Sequence, residues 1–297
     1  MTASAPASAP PSHVPIAPQA AARWQQRSPS QSPWLHEEIA RRMMQRLDFI
    51  TLQPHNWLHW HAAQGGLQAH TALQQRYPQA TAWHAPAANV TSSTASSATD
   101  TAVATSPPPA AHSIDMLWAN MALHTATDPL AVLKQWRQWL SPTGFVMFST
   151  LGPDTLHELR QLYQQRGWPP PCHSFTDMHD WGDMLVQAGF AEPVMDMERI
   201  RLTFATPQRL LQELAELGCN LHPQRFPALR GRHWRRRLHE VLQDKLGEPD
   251  EGGQLALTFE IIYGHAYKPK PRVRVSASSA VSLEDMRAML REGSSKG

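Results

Sequence analysis

Histidines stand at positions 55, 59, 61, 70 and 84, a dense run of side chains that could ligate a metal or move a proton. His59 and His61 are two apart, so on a strand they share a face. No cysteine or carboxylate stands at ligand spacing, so satisfied polar packing is expected there and no metal site. The same stretch, Trp57 to Gly66, ends in Gly65-Gly66 and falls between helical patterns at 34–47 and 67–76. In a doubly wound α/β domain this is where the first strand turns into a Gly-rich loop for a phosphate or nucleoside. Only the last glycines of such a loop are present. Gly65, Gly66, His59 and His61 are the candidate binding residues. No Ser-His-Asp or paired-carboxylate constellation appears, and no catalytic residue is assigned.

The elements that must position this loop alternate in type. Strand-like runs occur at Trp57–His61, Thr81–His84, Ile114–Ala119, Phe145–Ser149, Val194–Phe204 and Leu255–His265. Helical spacing is expected at 34–47, 67–76, 129–140, 154–166, 178–188, 207–217 and 230–246. Leu130, Leu133, Trp136 and Leu140 illustrate the period. Ser141-Pro142-Thr143-Gly144 predicts a turn, Gly189 a helix C-cap, and Pro207 a helix start. Strands alternating with helices of this length predict an α/β fold, Rossmann-like, with a mostly parallel sheet covered on both faces.

Composition bounds the remaining possibilities. The chain has 297 residues, 41% of them hydrophobic, and a net charge of +2. That is enough apolar material for one large core, with no global pull toward nucleic acid or membrane. No run of eighteen apolar residues occurs, so no membrane span is expected. The N-terminus lacks the basic and apolar regions of a signal peptide. Cys172 and Cys219 cannot make a disulfide framework, and a reduced, cytoplasmic setting is expected. Residues 1–33, Ala/Pro/Ser-rich through Ala22, predict disorder, and 87–111, rich in Ser, Thr, Ala and Pro, a flexible insertion. The domain is expected at 34–270, with 207–246 as a helical cap. A tail at 271–297 follows, with a short helix from the capping pattern at Ser282–Asp285.

Several stretches resemble one family. Ile114 to His124 resembles the fourth strand of class I S-adenosylmethionine (SAM) methyltransferases, and Leu140-Ser141-Pro142-Thr143-Gly144-Phe145 their L-x-P-G-G turn into strand five. Phe148–Leu156, Phe175–Asp183, Gly189–Asp196 and Thr258–Ala266 are similar to the malonyl-acyl-carrier-protein O-methyltransferases of biotin synthesis. The resemblance spans about Leu35 to Pro269 and is strong from Asp115 onward.

The resemblance implies a seven-stranded sheet with a helical insertion before the last strand, and the strands at 194–204 and 255–265 as antiparallel neighbours. It implies SAM as cofactor, with Asn120 facing it just past strand four. The family's loop reads D-L-G-x-G-x-G. Here His59 replaces the acid, His61 and Ala63 the first two glycines, and Gly65 is kept. The acid that ends strand two has no counterpart in Trp83–Pro86, and Asp100 is the only acid in the insertion where a third contact falls. Each lost charge-assisted bond would cost roughly 1.5–3 kcal/mol, so cofactor binding is expected to be weak or lost. The implied reaction is methylation of the free carboxylate of malonyl-acyl-carrier protein or malonyl-CoA. That carboxylate is already ionised and needs no general base. Arg160, Tyr163, Arg199 and Arg201 are unranked candidates to hold it. The arginines between Arg225 and Arg237 suggest either docking of an acidic carrier protein or a plain solvated helix face. Nucleic acid is not expected. The alternative function is a non-catalytic paralogue that keeps the fold as a binding or regulatory protein.

Overall fold

The computed structural model describes residues 15–27, 29–85, 109–248 and 253–270. In chain order the elements are α1 (Pro18–Gln25), α2 (Trp34–Arg46), β1 (Asn56–Trp60), α3 (Ala62–Gly65), α4 (Leu67–Arg76), β2 (Thr81–Ala85) and β3 (Ile114–Ala119). There follow α5 (Pro129–Trp139), β4 (Leu140–Leu151), α6 (His157–Gln165), α7 (Met178–Gln187), β5 (Ala191–Phe204), α8 (Pro207–Leu217), α9 (Arg232–Leu246), β6 (Gly247–Glu248) and β7 (Gln254–Tyr267). One seven-stranded sheet runs in the order β2-β1-β3-β4-β7-β5, with the two-residue β6 paired to β7 off that path. β2, β1, β3 and β4 pair in parallel. β7 runs against both β4 and β5, and the expected pairing holds, with Val194 opposite His265 and Phe204 opposite Leu255.

The sheet is covered on both faces because its central strands carry large apolar side chains on both. Trp57, Met116, Trp118, Phe145 and Met147 point to one face, where Leu35, Ile39 and Met43 of α2, Leu73 of α4 and Leu159 of α6 meet them. Leu58, Leu117, Ala119, Val146 and Phe148 alternate to the other, against Leu133 and Trp136 of α5 and Trp181 and Leu185 of α7. Each such side chain, fully buried, contributes about 1.5–3 kcal/mol. Helix ends follow their local signals. Asp128 caps α5 by accepting from Ala131 N, and Thr206 caps α8 by accepting from Arg209 N. Gly189, at φ 89°, ends α7 as expected, with Phe190 N bonding to Leu185 O.

Three local expectations are corrected. Ser141–Gly144 is not a turn before the strand but an irregularity inside β4, where Thr143 takes φ 73° and the β3 pairing shifts register between Ile114 and Met116. Lys268 explains why the strand continues, since its N bonds to Gly144 O and its carbonyl accepts from Thr143 N. α6 starts at His157 rather than at Asp154. The intervening residues are tied to β7 instead: Glu260 accepts from Asp154 N at 2.6 Å, and Thr155 Oγ1 donates to Glu260 O. Finally, the expected disorder over 1–33 gives way to α1 at Pro18–Gln25, because Ile16, Ala21 and Leu221 form a small apolar cluster and Trp24 is buried, while 1–14 and 28 lie outside the described residues. The insertion at 87–111, apart from its last three residues, and the tail at 271–297, with its expected helix, lie outside the described residues. Among the described residues no helix is long and apolar enough to cross a membrane.

Phe148 and Gly264 are direct partners across β4 and β7. A Cβ on Gly264 would overlap the Phe148 ring, which is fully buried. Gly264→Ala is expected to cost about 3 kcal/mol through overpacking. Urea unfolding would read this as a lowered midpoint, partly recovered by Phe148→Leu. An unchanged midpoint would mean the two strands do not meet here.

Candidate active site

The chain leaves β1 through His61, whose φ is 53°. Left-handed backbone of this kind is the conformation glycine supplies at least cost. His61 stands where the family resemblance places a glycine, and the backbone has kept the glycine shape under a different side chain. Its imidazole stacks on Trp60, ring centroids 4.8 Å apart. Thr143, at φ 73°, repeats the substitution at the L-x-P-G-G position. Gly65 is required by packing: a Cβ there would lie 3.0 Å from the Asn120 carbonyl oxygen and 3.3 Å from His59 Nε2. Gly66 has φ 141°, and a Cβ on it would sit 3.0 Å from Glu37 Oε2. Glu37 in turn accepts from Gln68 N and Ala69 N, so it caps α4 from α2.

Asn120 ends β3 beneath this turn and is buried. Its amide donates to His36 O at 2.8 Å and to Gly65 O, and its oxygen accepts from Ser149 Oγ at 2.6 Å. Both amide hydrogens are thus spent on the protein itself. His36 Nδ1 lies 2.7 Å from Gln64 O, and since a carbonyl only accepts, that nitrogen carries the proton. Gln64 Nε2 donates to Trp24 O and Arg27 O, which draws the segment after α1 over the turn. His59 is buried below, its ring stacked on His70 with centroids 5.5 Å apart.

Two cavities flank the cap helix α8 and share Ala215 in their walls. The first, about 530 Å³, lies against the turn and is bordered by Gln64, His36, Trp24 and Ser32. The second, about 240 Å³, opens beyond the end of β4 and is lined by Leu156, by Leu159 and Tyr163 of α6, Leu211 and Leu214 of α8, and Cys172 and His173. Trp34 Nε1 donates to Glu213 at 2.7 Å, which anchors α8 to the start of α2. From Tyr163 an aromatic ladder leads outward: Trp168 lies edge-on at 5.1 Å and Trp234 of α9 at 4.4 Å from Trp168. Trp234 carries the Arg230 guanidinium on its face at 3.6 Å, and Phe226 carries the same group at 4.2 Å. The second cavity therefore lies one run of rings from the arginine cluster. Leu229 and Phe226 are exposed within that cluster.

Of the candidate residues, the structure gathers His59, His61, Gly65, Gly66 and Asn120 at one turn. Tyr163 lines the second cavity, and Arg160 is on the same helix, with Nη2 donating to Pro153 O and Nε buried without a partner among the described residues. Arg199 is engaged elsewhere, with Asp154 at 2.5 Å, and Arg201 is exposed on β5. Sequence reasoning missed His36, Gln64 and His173. The run Trp168-Pro169-Pro170-Pro171-Cys172-His173 was the available signal, since chemically able residues on a stiff loop between helices are candidate site residues. Among the described residues no group of three or more His, Cys, Asp or Glu side chains could hold a metal.

A methyltransferase-domain family model matches residues 32–192 of this chain. The chain belongs to the methyltransferases, whose methyl donor is SAM. Malonyl-acyl-carrier-protein O-methyltransferase of Gallionella capsiferriformans is 37% identical over 263 residues, 83% of this chain and 88% of that one. Malonyl-acyl-carrier-protein O-methyltransferase 1 of Coxiella burnetii is 35% identical over 231 residues, covering 77% and 79%. The enzyme of that name from Laribacter hongkongensis is 42% identical over a shorter stretch, 56% of this chain and 55% of that one. Within the methyltransferases, this chain is a member of the malonyl-acyl-carrier-protein O-methyltransferase family. At the turn, position 61 holds the glycine conformation, and Gly65 and Gly66 leave room for Asn120, His59 and Glu37. β2 supplies no carboxylate for the ribose, since Thr81–Ala85 contains none.

Burial pushes His36, His61, His173 and His265 down to about 4, and pushes His124 down as well. The unfolded chain binds these protons near pH 6.5. Between about 6.5 and about 4 the unfolded state therefore holds more protons than the folded one, and stability falls as pH falls. Thermal unfolding followed from pH 7 to 4.5 should show a steep decline. His36→Asn retains a donor for Gln64 O without a titrating ring, so its decline should be shallower. A melting temperature that stays level across this range would show that these rings are not buried neutral.

Proposed function

We propose that this chain transfers the methyl group of SAM to the free carboxylate of a malonyl thioester, in the cytoplasm, as a step of biotin synthesis. The thioester is carried by an acyl-carrier protein. The observation that carries the reading is the pair of cavities divided by Ala215, one against the cofactor turn and one beyond the end of β4. Methyl transfer needs a place for each of two reactants under one cap, and relatives named for this reaction align over most of the chain. Residues 34–270 are the methyltransferase domain in this reading, 87–111 its insertion and 207–246 its cap.

SAM, when bound, supplies an electrophilic methyl on a sulfonium. Gly65, Gly66 and His61 shape the surface it lies on. Asn120 and His59 hold that surface from beneath, Asn120 through its bond to Gly65 O. The acceptor carboxylate is ionised at neutral pH, so the protein needs only to orient it in line and exclude water. Leu156, Leu159, Leu211 and Leu214 exclude water, and Tyr163 in the wall and Arg160 on the same helix are the candidates to orient an anion. Burial pushes the Cys172 thiol up to about 11, which keeps it protonated and out of the chemistry.

The departures from the family loop set the cofactor affinity. Calorimetric titration with SAM is expected to give a dissociation constant two to four orders of magnitude above that of an intact loop, on roughly 1.5–3 kcal/mol per lost contact. His59→Asp, His61→Gly and Ala63→Gly together should tighten it, because position 61 already has glycine backbone. Methyl transfer to malonyl-acyl-carrier protein is read in the same preparations with labelled donor. Absence of transfer even in the restored variant would sink the proposed activity.

The carrier protein docks on the cluster from Arg225 to Arg237. Arg232, Arg235, Arg236 and Arg237 are exposed on α9, and the exposed Leu229 and Phe226 give the surface an apolar centre. Association should weaken steeply with salt, since exposed charges are screened within about 10 Å at 0.1 M. Charge reversal at Arg232, Arg235 and Arg236 should abolish carrier binding and leave SAM binding unchanged. Equal carrier binding by the reversed protein at low salt would make the cluster an ordinary solvated helix face.

A further inference from the structure

The turn after β1 is buried, and the chain's own amino-terminal segment is fastened across it. His59, His61, Gly65, Gly66 and Asn120 all lie in the buried class. Gln64 Nε2 donates to Trp24 O at 2.9 Å and to Arg27 O at 2.8 Å. A primary amide has two N–H groups, so both are spent on this segment and none is left for a ligand. The His61 ring, at a glycine position of the family loop, lies within hydrogen-bonding reach of the same Gln64 side chain.

Two further contacts carry the segment over the site. Gln25 Nε2 donates to Thr125 O at 3.3 Å, beyond the end of β3. Ala17 N donates to Leu221 O at 2.7 Å, on the loop between α8 and α9. Trp24 and Arg27 also wall the 530 Å³ cavity. The stretch Ala17–Arg27 thus runs as a strap from the cap to the turn.

The attachment of this strap is separable from the core. Ala21 meets Ile16 and Leu221 in an apolar cluster apart from the two layers that cover the sheet. α1 has eight residues, too few to hold a helix alone in water. A segment with so few apolar contacts opens locally while the rest stays folded. The chain is fastened again at Ser32, whose Oγ donates to Ala63 O and accepts from Leu67 N, both at 2.9 Å. Lifting of the strap therefore stops at Ser32 and leaves α2 in place.

On the SAM reading above, we propose that Ala17–Arg27 is an autoinhibitory strap, latched by Gln64, that must lift before SAM reaches the turn. While the strap is down a molecule is not competent to bind, and the apparent affinity falls with the fraction that is open. Weak cofactor binding then has two separable sources, the contacts missing from the loop and the closed strap.

The test opens the strap at each end of the full chain. Gln64→Glu sets a carboxylate oxygen against two carbonyls and should release the latch. Ile16→Ala loosens the apolar cluster without touching the turn, and its melting temperature should match wild type because the cluster stands outside the core. Backbone hydrogen exchange across Ala17–Arg27 should quicken about tenfold in both variants, as for the loss of one or two net hydrogen bonds or an equivalent apolar contact. Calorimetric titration should show Ile16→Ala binding SAM about tenfold more tightly than wild type, since affinity follows the open fraction. Faster exchange with no gain in SAM affinity means the strap does not guard the turn and overturns the proposal. Unchanged exchange in both variants means there is no latch and overturns it as well. Methyl transfer by the restored-loop variant is assayed separately. Tighter SAM binding by Ile16→Ala without transfer there would remove the proposed activity and leave the strap standing.

Discussion

The carboxyl end of the sheet is organised around the side chain of Asn120. One buried amide joins α2 through His36 O, the turn after β1 through Gly65 O, and β4 through Ser149 Oγ. These segments are distant in the chain and have little apolar surface to share at this point, so directional bonds must place them. The absence of a Cβ on Gly65 is what lets the turn approach the Asn120 backbone. With the turn held there, His36 bonds Gln64, and Gln64 gathers the chain after α1. An isolated buried amide would be costly, but here each of its hydrogens and its oxygen has a partner, which makes the network rigid rather than a liability.

A second buried polar device secures the other half of the site. Glu260 on β7 occupies the space that a side chain on Gly152 would need and holds Asp154 N. Glu158 does the same for Thr258, accepting from its N and Oγ1. The end of β4 is thereby locked to the antiparallel part of the sheet, and α6 leaves it at a defined angle to form one wall of the cavity. α8 forms the opposite wall and is fixed through Glu213, which is buried and pairs with both Trp34 and Arg209. The apolar layers supply most of the folding free energy, while these few polar contacts decide where the cap sits relative to the turn.

The electrostatic character of the site follows from burial rather than from paired charges. His36, His61, His124 and His173 are all held neutral by desolvation. Neutral imidazoles in fixed tautomers serve as hydrogen-bonding struts, which suits a reaction whose acceptor is already ionised. The positive charge of the region is kept outside, on α9, where Arg230 lies over Trp234 and the remaining guanidiniums face solvent.

The sequence by itself determined the architecture. The apolar runs at Trp57, Ile114, Phe145 and Leu255 and the helical spacing at Pro129–Leu140 are local properties, and a local period is enough to choose strand or helix and the buried face. Motif stretches such as Phe148–Leu156 carried the family, and the candidate residues Gly65, Gly66, His59, His61 and Asn120 lie close together in the fold. Tertiary structure alone decided what those residues do there. That His61 and Thr143 keep glycine backbone under other side chains is set by packing around them and leaves no trace in residue type. Asp154 was expected to begin a helix, but a carboxylate more than a hundred positions away, on β7, holds its amide. Likewise His173 Nε2 finds its partner in the carbonyl of His124, 49 residues earlier in the chain. Hydrogen-bond partners and cavities belong to pairs of distant segments, and their distances come into being only when the sheet is assembled.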